Sequence, residues 1–148
     1  MLFLSIRPQY ADAIAQGKKT VELRRQRPRC QTGDWIAIYS ASPKMQLEGV
    51  AKVGGVIDSS PIMIWQRFRA DCGVSKAVFD KYFSGAKKAV AIQFSAYKPL
   101  KKPIPLSNLR DRWTGFSPPQ SFRYLTDEEL ALVPEISRAV ARIIPKAA

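Results

Sequence analysis

The sequence predicts an α+β protein centred on a small mixed or antiparallel β-barrel, with helices inserted between the strands and flanking them. Five or six short segments are strand-like, and several of them alternate apolar and polar residues in the pattern of half-buried strands. These segments follow one another with few long crossovers, which favours a barrel over a doubly wound parallel sheet. The chain has 148 residues, 46% of them hydrophobic, enough for one domain with a substantial core. We expect a single domain, 1–148, in which 101–148 pack as an extension on a barrel core formed by 1–100.

Four strands and one helix are predicted in the first 60 residues. Residues 2–6 (LFLSI) have the composition of a buried strand. Pro8 suits the first position of a helix, and Gly17 suits its end. A second strand is expected at about residues 19–25, and a third in the alternating segment that begins at Trp35. The glycine-rich segment LEGVAKVGGVID is strand-like, and its glycines predict a bulge or a sharp bend.

The second half of the chain is predicted to add helices around one further strand. Pro61 opens a helix with an apolar stripe, and Ser75 can cap the next helix. The segment KAVAIQFSAY alternates as a strand, whereas the prolines of KPLKKPIP predict an extended loop or an edge. SNLRDRW fits a short turn of helix, and FSPPQSFRYL is expected to be irregular. Thr126 and Glu129 form a capping box, and a last helix, ending near Ile144, begins in PEISRAV.

The charge balance of the chain predicts an anionic partner. Lys and Arg number 24 against 12 Asp and Glu, giving a net charge of +12 and a pI near 10.1. Nucleic acid is the commonest partner of so basic a domain. A cationic surface kept for solubility ranks second, because acidic surfaces serve solubility better. A membrane surface ranks third, since no basic amphipathic helix stands out in the first two-thirds of the chain.

Composition also predicts the compartment and the absence of a metal. No apolar run approaches membrane-spanning length, and two isolated cysteines do not make a disulfide framework. The expectation is therefore a cytoplasmic, reduced protein. The chain has no histidine, which removes histidine acid–base chemistry and histidine-ligated metal sites. We predict no bound metal and no cofactor.

The most informative segment is GKKTVELRRQRPR, residues 17–29, which carries six basic side chains and one acid, Glu22. A strand alternates its side chains between two faces. The alternation places Val21 and Leu23 on one face and polar or charged residues on the other: Thr20, Glu22 and Arg24. One face can therefore contribute to a core while the other presents cations beside a carboxylate. We expect the charged face to bind a phosphate-bearing or otherwise anionic ligand.

The spacing of several motifs resembles the ASCH domain, a relative of the PUA domain. The hallmarks are a short strand, a helix ending in GxK, a KTVExR strand and GDxxxxY leading into a strand. The matching positions are Gly17, Lys19, Thr20, Glu22, Arg24, Gly33, Asp34 and Tyr39. The resemblance covers roughly the first hundred residues, and the tail resembles the extension of a bacterial subset of such proteins. It implies a five- or six-stranded barrel with a cleft beside the first helix.

The resemblance also implies a choice of functions. Much of the PUA-like superfamily binds RNA, some small bacterial members resemble amidohydrolases acting on acylated cytidine, and at least one relative is described as a ribonuclease. Lys19 matches the lysine proposed to act in the amidohydrolases, which carry a threonine where this chain has Glu22. We predict Lys19 and Glu22 as catalytic candidates. The alternatives are a phosphate-binding or surface lysine, and a salt bridge between Glu22 and Arg24.

A larger set of residues is predicted to bind the ligand. It combines cations for phosphates with hydroxyl and aromatic groups for bases, and it draws on both the barrel and the tail. The members are Arg7, Tyr10, Lys18, Thr20, Arg24, Arg25, Tyr39, Ser40, Arg123 and Tyr124. The leading hypothesis is a PUA-like module that binds single-stranded or modified RNA in a basic cleft. The alternative is a metal-independent hydrolase, acting on a modified nucleoside or on RNA.

Overall fold

Six strands form one mixed sheet in the computed structural model, which describes residues 1–142. The strands are β1 (Leu2–Ile6), β2 (Val21–Arg24), β3 (Trp35–Ser40), β4 (Gln46–Ser59), β5 (Ala89–Pro105) and β6 (Phe122–Tyr124). The helices are α1 (Pro8–Ala15), α2 (Pro61–Phe68), α3 (Lys76–Tyr82), α4 (Leu106–Arg112), α5 (Asp127–Ala131) and α6 (Pro134–Ala141). The predicted α+β class is confirmed.

The order of strands across the sheet is β2-β5-β4-β3-β1-β6. Within residues 1–142, only β1 and β3 pair in parallel, and the other neighbours are antiparallel. Register shifts mark irregularities in β4 near its glycines, as the sequence predicted. Gly49 allows β4 and β5 to approach each other closely, because a Cβ at this position would lie 2.6 Å from the carbonyl oxygen of Lys98. The sheet curls into a half-barrel, which brings its two edge strands, β2 and β6, towards each other.

Three hydrophobic clusters stabilise the sheet. The first lies between the half-barrel and the C-terminal elements and includes Phe3, Trp113 and Ile136. The second lies inside the curl, where residues of β1, β3, β4 and β5 meet α1. The third joins β2 and β5 to the inserted helices α2 and α3. Alternate residues of β2 thus serve two environments: Val21 and Leu23 belong to the third cluster, while the intervening side chains point into the curl.

The residues predicted to cap helices do so in the structure. Ser60 and Ser75 accept hydrogen bonds from the backbone at the starts of α2 and α3. Thr126 and Glu129 form the predicted capping box of α5. Helix α6 ends at Ala141, and the predicted end near Ile144 lies outside the described residues. No helix within residues 1–142 combines the length and the apolar character needed to cross a bilayer.

One prediction for the second half of the chain is refined, and another is wrong. The proline- and lysine-rich segment KPLKKPIP, 98–105, is the last part of β5, a strand of 17 residues. It behaves as the predicted edge, because β2 pairs only with residues 90–93 of β5 and leaves the rest paired with β4 alone. The segment predicted to be irregular contains β6, which pairs antiparallel with β1. This short strand forms one edge of the sheet, so it matters for the site.

Candidate functional site

Arg24 joins the two edges of the half-barrel. It lies on the edge strand β2 and is 8% exposed. Its guanidinium donates to the Oγ of Ser121 at 2.9 Å, just before β6, and to the backbone oxygen of Ser5 on β1 at 3.2 Å. It also pairs with Glu22 on its own strand at 3.0 Å. The charged face of β2 is therefore turned into the curl of the sheet, and a planar fork of donors suits this bridging position.

Lys19 lies next to this bridge and is fully enclosed. Its ammonium donates to the backbone oxygen of Cys72 and lies 3.4 Å from a carboxylate oxygen of Glu22. The ring of Tyr10 lies 5.3 Å from the same nitrogen, within the range of a cation–π contact. Gly73 covers the aliphatic stem, since a Cβ there would lie 3.1 Å from the Lys19 Cβ. The structure thus brings three of the predicted residues, Lys19, Glu22 and Arg24, into one buried charged group.

Opposing influences act on the pKa of Glu22. Burial is the largest single influence and raises the pKa, because the carboxylate loses hydration. The charges of Lys19 and Arg24, with hydrogen bonds from Arg24 and the Leu23 N–H, together outweigh burial. The pKa of Glu22 therefore lies below its ordinary value, and the carboxyl group is ionised at neutral pH. Both of its oxygens already accept hydrogen bonds or contact cations, so it is better suited to position Arg24 and Lys19 than to take up a proton.

A cleft of about 590 Å³ opens beside the Arg24 bridge. Its walls come from the end of β2, from the end of α3, from the loop between α3 and β5, and from the residues that begin β6. The lining residues are Arg24, Arg25, Gln26, Tyr82, Ala86, Lys87, Lys88, Ser121 and Phe122. They include four cations and no carboxylate. Such a surface attracts anions and holds phosphate groups.

The geometry of Arg25 ties two walls of the cleft together. Its guanidinium donates to the backbone oxygens of Tyr82 at 2.9 Å and Ser84 at 3.2 Å. Burial raises the pKa of Tyr82, with Arg24 opposing and Glu22 reinforcing the shift. The Tyr82 hydroxyl therefore stays protonated at neutral pH and can donate a hydrogen bond. The cleft can thus bind a phosphodiester through its cations and donate hydrogen bonds to it from Tyr82, Lys87 and Lys88.

The structure separates Tyr39 and Ser40 from the cleft. Tyr39 is buried against Phe3, with ring centroids 5.6 Å apart, in the cluster beneath the C-terminal elements. Ser40 is fully buried at the end of β3, beside Ile6 of β1. Neither hydroxyl has a hydrogen-bond partner among residues 1–142. Burial raises the pKa of Tyr39. A base cannot stack on Tyr39 in this arrangement.

The remaining predicted residues also lie away from the cleft lining. Arg7 is exposed at the start of α1, and Lys18 and Thr20 are exposed between α1 and β2. Arg123 forms an ion pair with Glu129 and lies over the ring of Trp113, 4.9 Å from its centroid. Tyr124 accepts a hydrogen bond from the backbone of Arg29 and lies under that guanidinium. Its neighbour Phe122, with Ser121, lines the cleft instead.

The sequence patterns do not single out Tyr82, Lys87 or Lys88 for the site. In the structure, β2 and β5 pair antiparallel with Arg24 opposite Val90. Gln26 follows β2, and Lys87 and Lys88 precede β5, so this pairing brings them to the same cleft. Among residues 1–142, no group of three or more His, Cys, Asp and Glu side chains is arranged to hold a metal ion.

Comparisons with known proteins fit this architecture. The model of the ASCH domain family matches residues 4–104. An ASCH domain-containing ribonuclease of Zymomonas mobilis is 33% identical over 126 residues, covering 85% of this chain and 84% of the relative. The crystal structure of ASCH from Zymomonas mobilis superposes with a TM-score of 0.83 at 32% identity, covering 88% of this chain and 91% of the other. A tyrosine-to-phenylalanine variant of that protein superposes with a TM-score of 0.82 at 32% identity, covering 88% and 93%.

The family match spans more than half of the chain, and the relative and the solved structures extend the similarity into the C-terminal extension. The curled sheet, the motif spacing and these comparisons agree, and this chain belongs to the ASCH domain family.

Proposed function

We propose that this protein binds single-stranded RNA in the cleft beside the Arg24 bridge and cleaves it there. The observation that carries the proposal is the cleft itself, with four cations and no carboxylate along its lining. The net charge of +12 adds long-range attraction for a polyanion. The Zymomonas mobilis relative, an ASCH domain-containing ribonuclease that this chain matches over 84% of its length, supports RNA as the substrate.

In this proposal the cleft residues contact RNA, and the buried group positions them. Arg25, Lys87 and Lys88 hold phosphates, while Arg24 is fixed at the cleft wall by Glu22. Lys19 acts through Glu22, because its ammonium is enclosed by Cys72, Glu22 and the Tyr10 ring and does not line the cleft. An amidohydrolase mechanism would require Lys19 to reach the substrate, so these contacts favour the RNA hypothesis.

The first experiment measures binding of a labelled single-stranded RNA at several salt concentrations. The double variant Lys87→Gln/Lys88→Gln removes two cations from the cleft. The logarithm of the association constant decreases linearly with the logarithm of the salt concentration, by about 0.7 for each phosphate contact on a single strand. If both lysines contact phosphates, the double variant should make this slope less steep by about 1.4. The matched control is Lys101→Gln/Lys102→Gln, an adjacent exposed pair that does not line the cleft. Equal losses in the two double variants would show that only the overall charge matters and would contradict a site in the cleft.

The second experiment follows cleavage of the same RNA in the presence of EDTA. Cleavage by the wild type, with a large loss in Lys87→Gln/Lys88→Gln and none in Lys101→Gln/Lys102→Gln, is the expected result. Because all three proteins are purified identically, a contaminating nuclease would leave their activities equal. Equal activities, or no cleavage by the wild type, would remove the catalytic half of the proposal and leave the binding half to the salt titration.

A further inference from the structure

We propose that Tyr82 and Phe122 form a base-binding part of the cleft, in which an unpaired RNA base stacks on an aromatic ring. This inference rests on the proposed function and deepens it. Both aromatic side chains line the same cleft as the four cations, although they come from different elements, α3 and β6. The proposal assigns substrate selection to the aromatic rings and general attraction to the cations.

Tyr82 lines the cleft and packs against the hydrophobic core. It ends α3, and the residue is 38% exposed although its side chain is large and partly apolar. Its ring packs edge-on against Phe83, with centroids 4.7 Å apart and planes at 83°. Phe83 is itself buried in the third cluster. The ring of Tyr82 is therefore held by the core while part of its surface remains free for a ligand.

Phe122 is held in a comparable way on the other wall. It is half-buried in β6, and its ring packs edge-on against Tyr124, with centroids 5.9 Å apart and planes at 76°. It directly follows Ser121, whose Oγ accepts the hydrogen bond from Arg24. The pairing of β6 with β1, opposite Leu4, fixes the backbone that carries the ring.

Each of these aromatic residues is connected to an arginine that lines the same cleft. Tyr82 accepts a hydrogen bond from Arg25 through its backbone oxygen, and Phe122 is linked to Arg24 through Ser121. Each nucleotide carries a phosphate and a flat base. Proteins that bind single strands use cations for the phosphates and aromatic rings for the bases. The juxtaposition in this cleft provides both.

Stacking has a consequence that phosphate contacts alone do not have. A base must leave its helix to stack on a protein ring, so a single strand binds better than a duplex. Every base has a stacking surface, so the preference for sequence is weak. Removing the bases while keeping the phosphates should therefore weaken binding, whereas changing one base for another should matter little.

The test compares two probes of equal length and charge: a 2′-O-methyl oligouridine, which resists cleavage through the 2′-oxygen, and the matching abasic oligomer. The wild type is expected to bind the oligouridine about tenfold more tightly, the gain from stacking one base. Tyr82→Ala and Phe122→Leu should each reduce this preference without changing the salt dependence. Tyr82→Phe keeps the ring and should keep the preference. Val78→Ala, an exposed position one turn earlier on α3 that does not line the cleft, is the matched control.

The outcomes separate this inference from the proposed function. If the abasic oligomer binds as tightly as the oligouridine, or if Tyr82→Ala and Phe122→Leu retain the wild-type preference, the inference is wrong while RNA binding stands. If neither probe binds, the proposed function fails and the inference fails with it. Circular dichroism of each variant verifies that the fold is intact.

Discussion

At the scale of single residues, the group formed by Lys19, Glu22 and Arg24 is the most constrained part of the molecule. The three residues are 2%, 6% and 8% exposed, and they carry two positive charges and one negative charge. Removing charges from water is costly, and the cost is offset only when each charge has close partners. Carbonyl oxygens of Cys72 and Ser5 supply the partners that Glu22 alone cannot. Glu22 is therefore the residue on which the other two depend.

The substitution Glu22→Gln tests this dependence. It keeps the shape of the side chain but leaves two buried cations without a counter-charge. We expect the free energy of unfolding to fall by about 3–5 kcal/mol, the usual cost of removing one partner from a buried ion pair. Urea denaturation measures the change. Asp80→Asn removes one acid from the exposed pair with Lys76 and should change stability by less than about 1 kcal/mol. If Glu22→Gln and Asp80→Asn lower the free energy of unfolding by the same small amount, water reaches the group around Glu22.

The pH dependence of stability gives an independent test of the same carboxylate. The pKa of Glu22 in the folded protein lies below its ordinary value of 4.5, so ionised Glu22 stabilises the fold above that pH. The contribution is lost as pH falls through the folded pKa. The pKa values of Glu129 and Glu135 are also lowered, so the wild type and Glu22→Gln both lose stability in acid. The difference between the two proteins should stay constant from pH 7 to pH 6 and shrink below about pH 4.5. A difference that grows in acid would contradict this assignment.

At the scale of elements, one lysine of β5 joins the end of α6 to the barrel. Lys98 is 9% exposed, and its ammonium donates to the backbone oxygens of Val140, at 2.7 Å, and Arg142. These carbonyls lie at the C-terminal end of α6, where helix carbonyls lack partners within the helix. The ring of Trp35 lies 4.8 Å from the same nitrogen. Strand β5 therefore caps the last described helix from outside it.

Lys98→Met keeps an unbranched side chain but removes this cap. The loss of hydrogen bonds from a charged donor should lower the free energy of unfolding by about 1–3 kcal/mol. Amide hydrogen exchange in α6 should rise more than exchange in β4, because the cap acts on the helix directly. Lys102→Met on the same strand is exposed and should have little effect. If both substitutions act alike, the cap contributes nothing beyond a surface charge.

The elements also show what the sequence can and cannot reveal. Prolines and caps mark α1, α2, α3 and α5 because those signals are local. The strand β6 has only three residues after a proline-rich segment, and its partner β1 lies more than a hundred residues earlier. No local pattern specifies such a pairing.

The site was predictable to a similar extent. Alternation placed Glu22 and Arg24 on one face of β2, and the structure confirms that they share it. Their burial depends on Ser5 and Ser121, which the fold brings from β1 and from the start of β6. Tyr39 was predicted to bind the ligand, but the C-terminal extension covers its face of the sheet. Long-range packing therefore decides which predicted residues meet.

At the scale of the whole molecule, the half-barrel is closed by side chains instead of a continuous hydrogen-bonded ladder. The edge strands β2 and β6 each have one strand neighbour in the sheet of residues 1–142. Arg24 spans the gap between them, and the cleft opens at this junction. Closure of the barrel and formation of the proposed RNA site thus depend on the same guanidinium. A change at the junction should affect both.

Ser121→Ala tests the closure of the barrel at this junction with little disturbance of the core, because Ser121 is exposed. Of the two contacts between Arg24 and Ser121, it removes the 2.9 Å bond to the hydroxyl and leaves the longer one, 3.4 Å, to the backbone oxygen. The Ser5 amide donates to that same oxygen at 2.9 Å, so its hydrogen exchange reports opening of the junction. A loss of about 1 kcal/mol, the net value of one hydrogen bond, corresponds to roughly fivefold faster exchange at Ser5. Exchange within the β4–β5 pair should not change.

The control is Ser117→Ala, which changes an exposed serine in the same segment. It should leave exchange at Ser5 and within the β4–β5 pair unchanged. Faster exchange throughout the sheet would mean that the bond supports global stability, and unchanged exchange at Ser5 would mean that Arg24 does not join the edges through this hydroxyl.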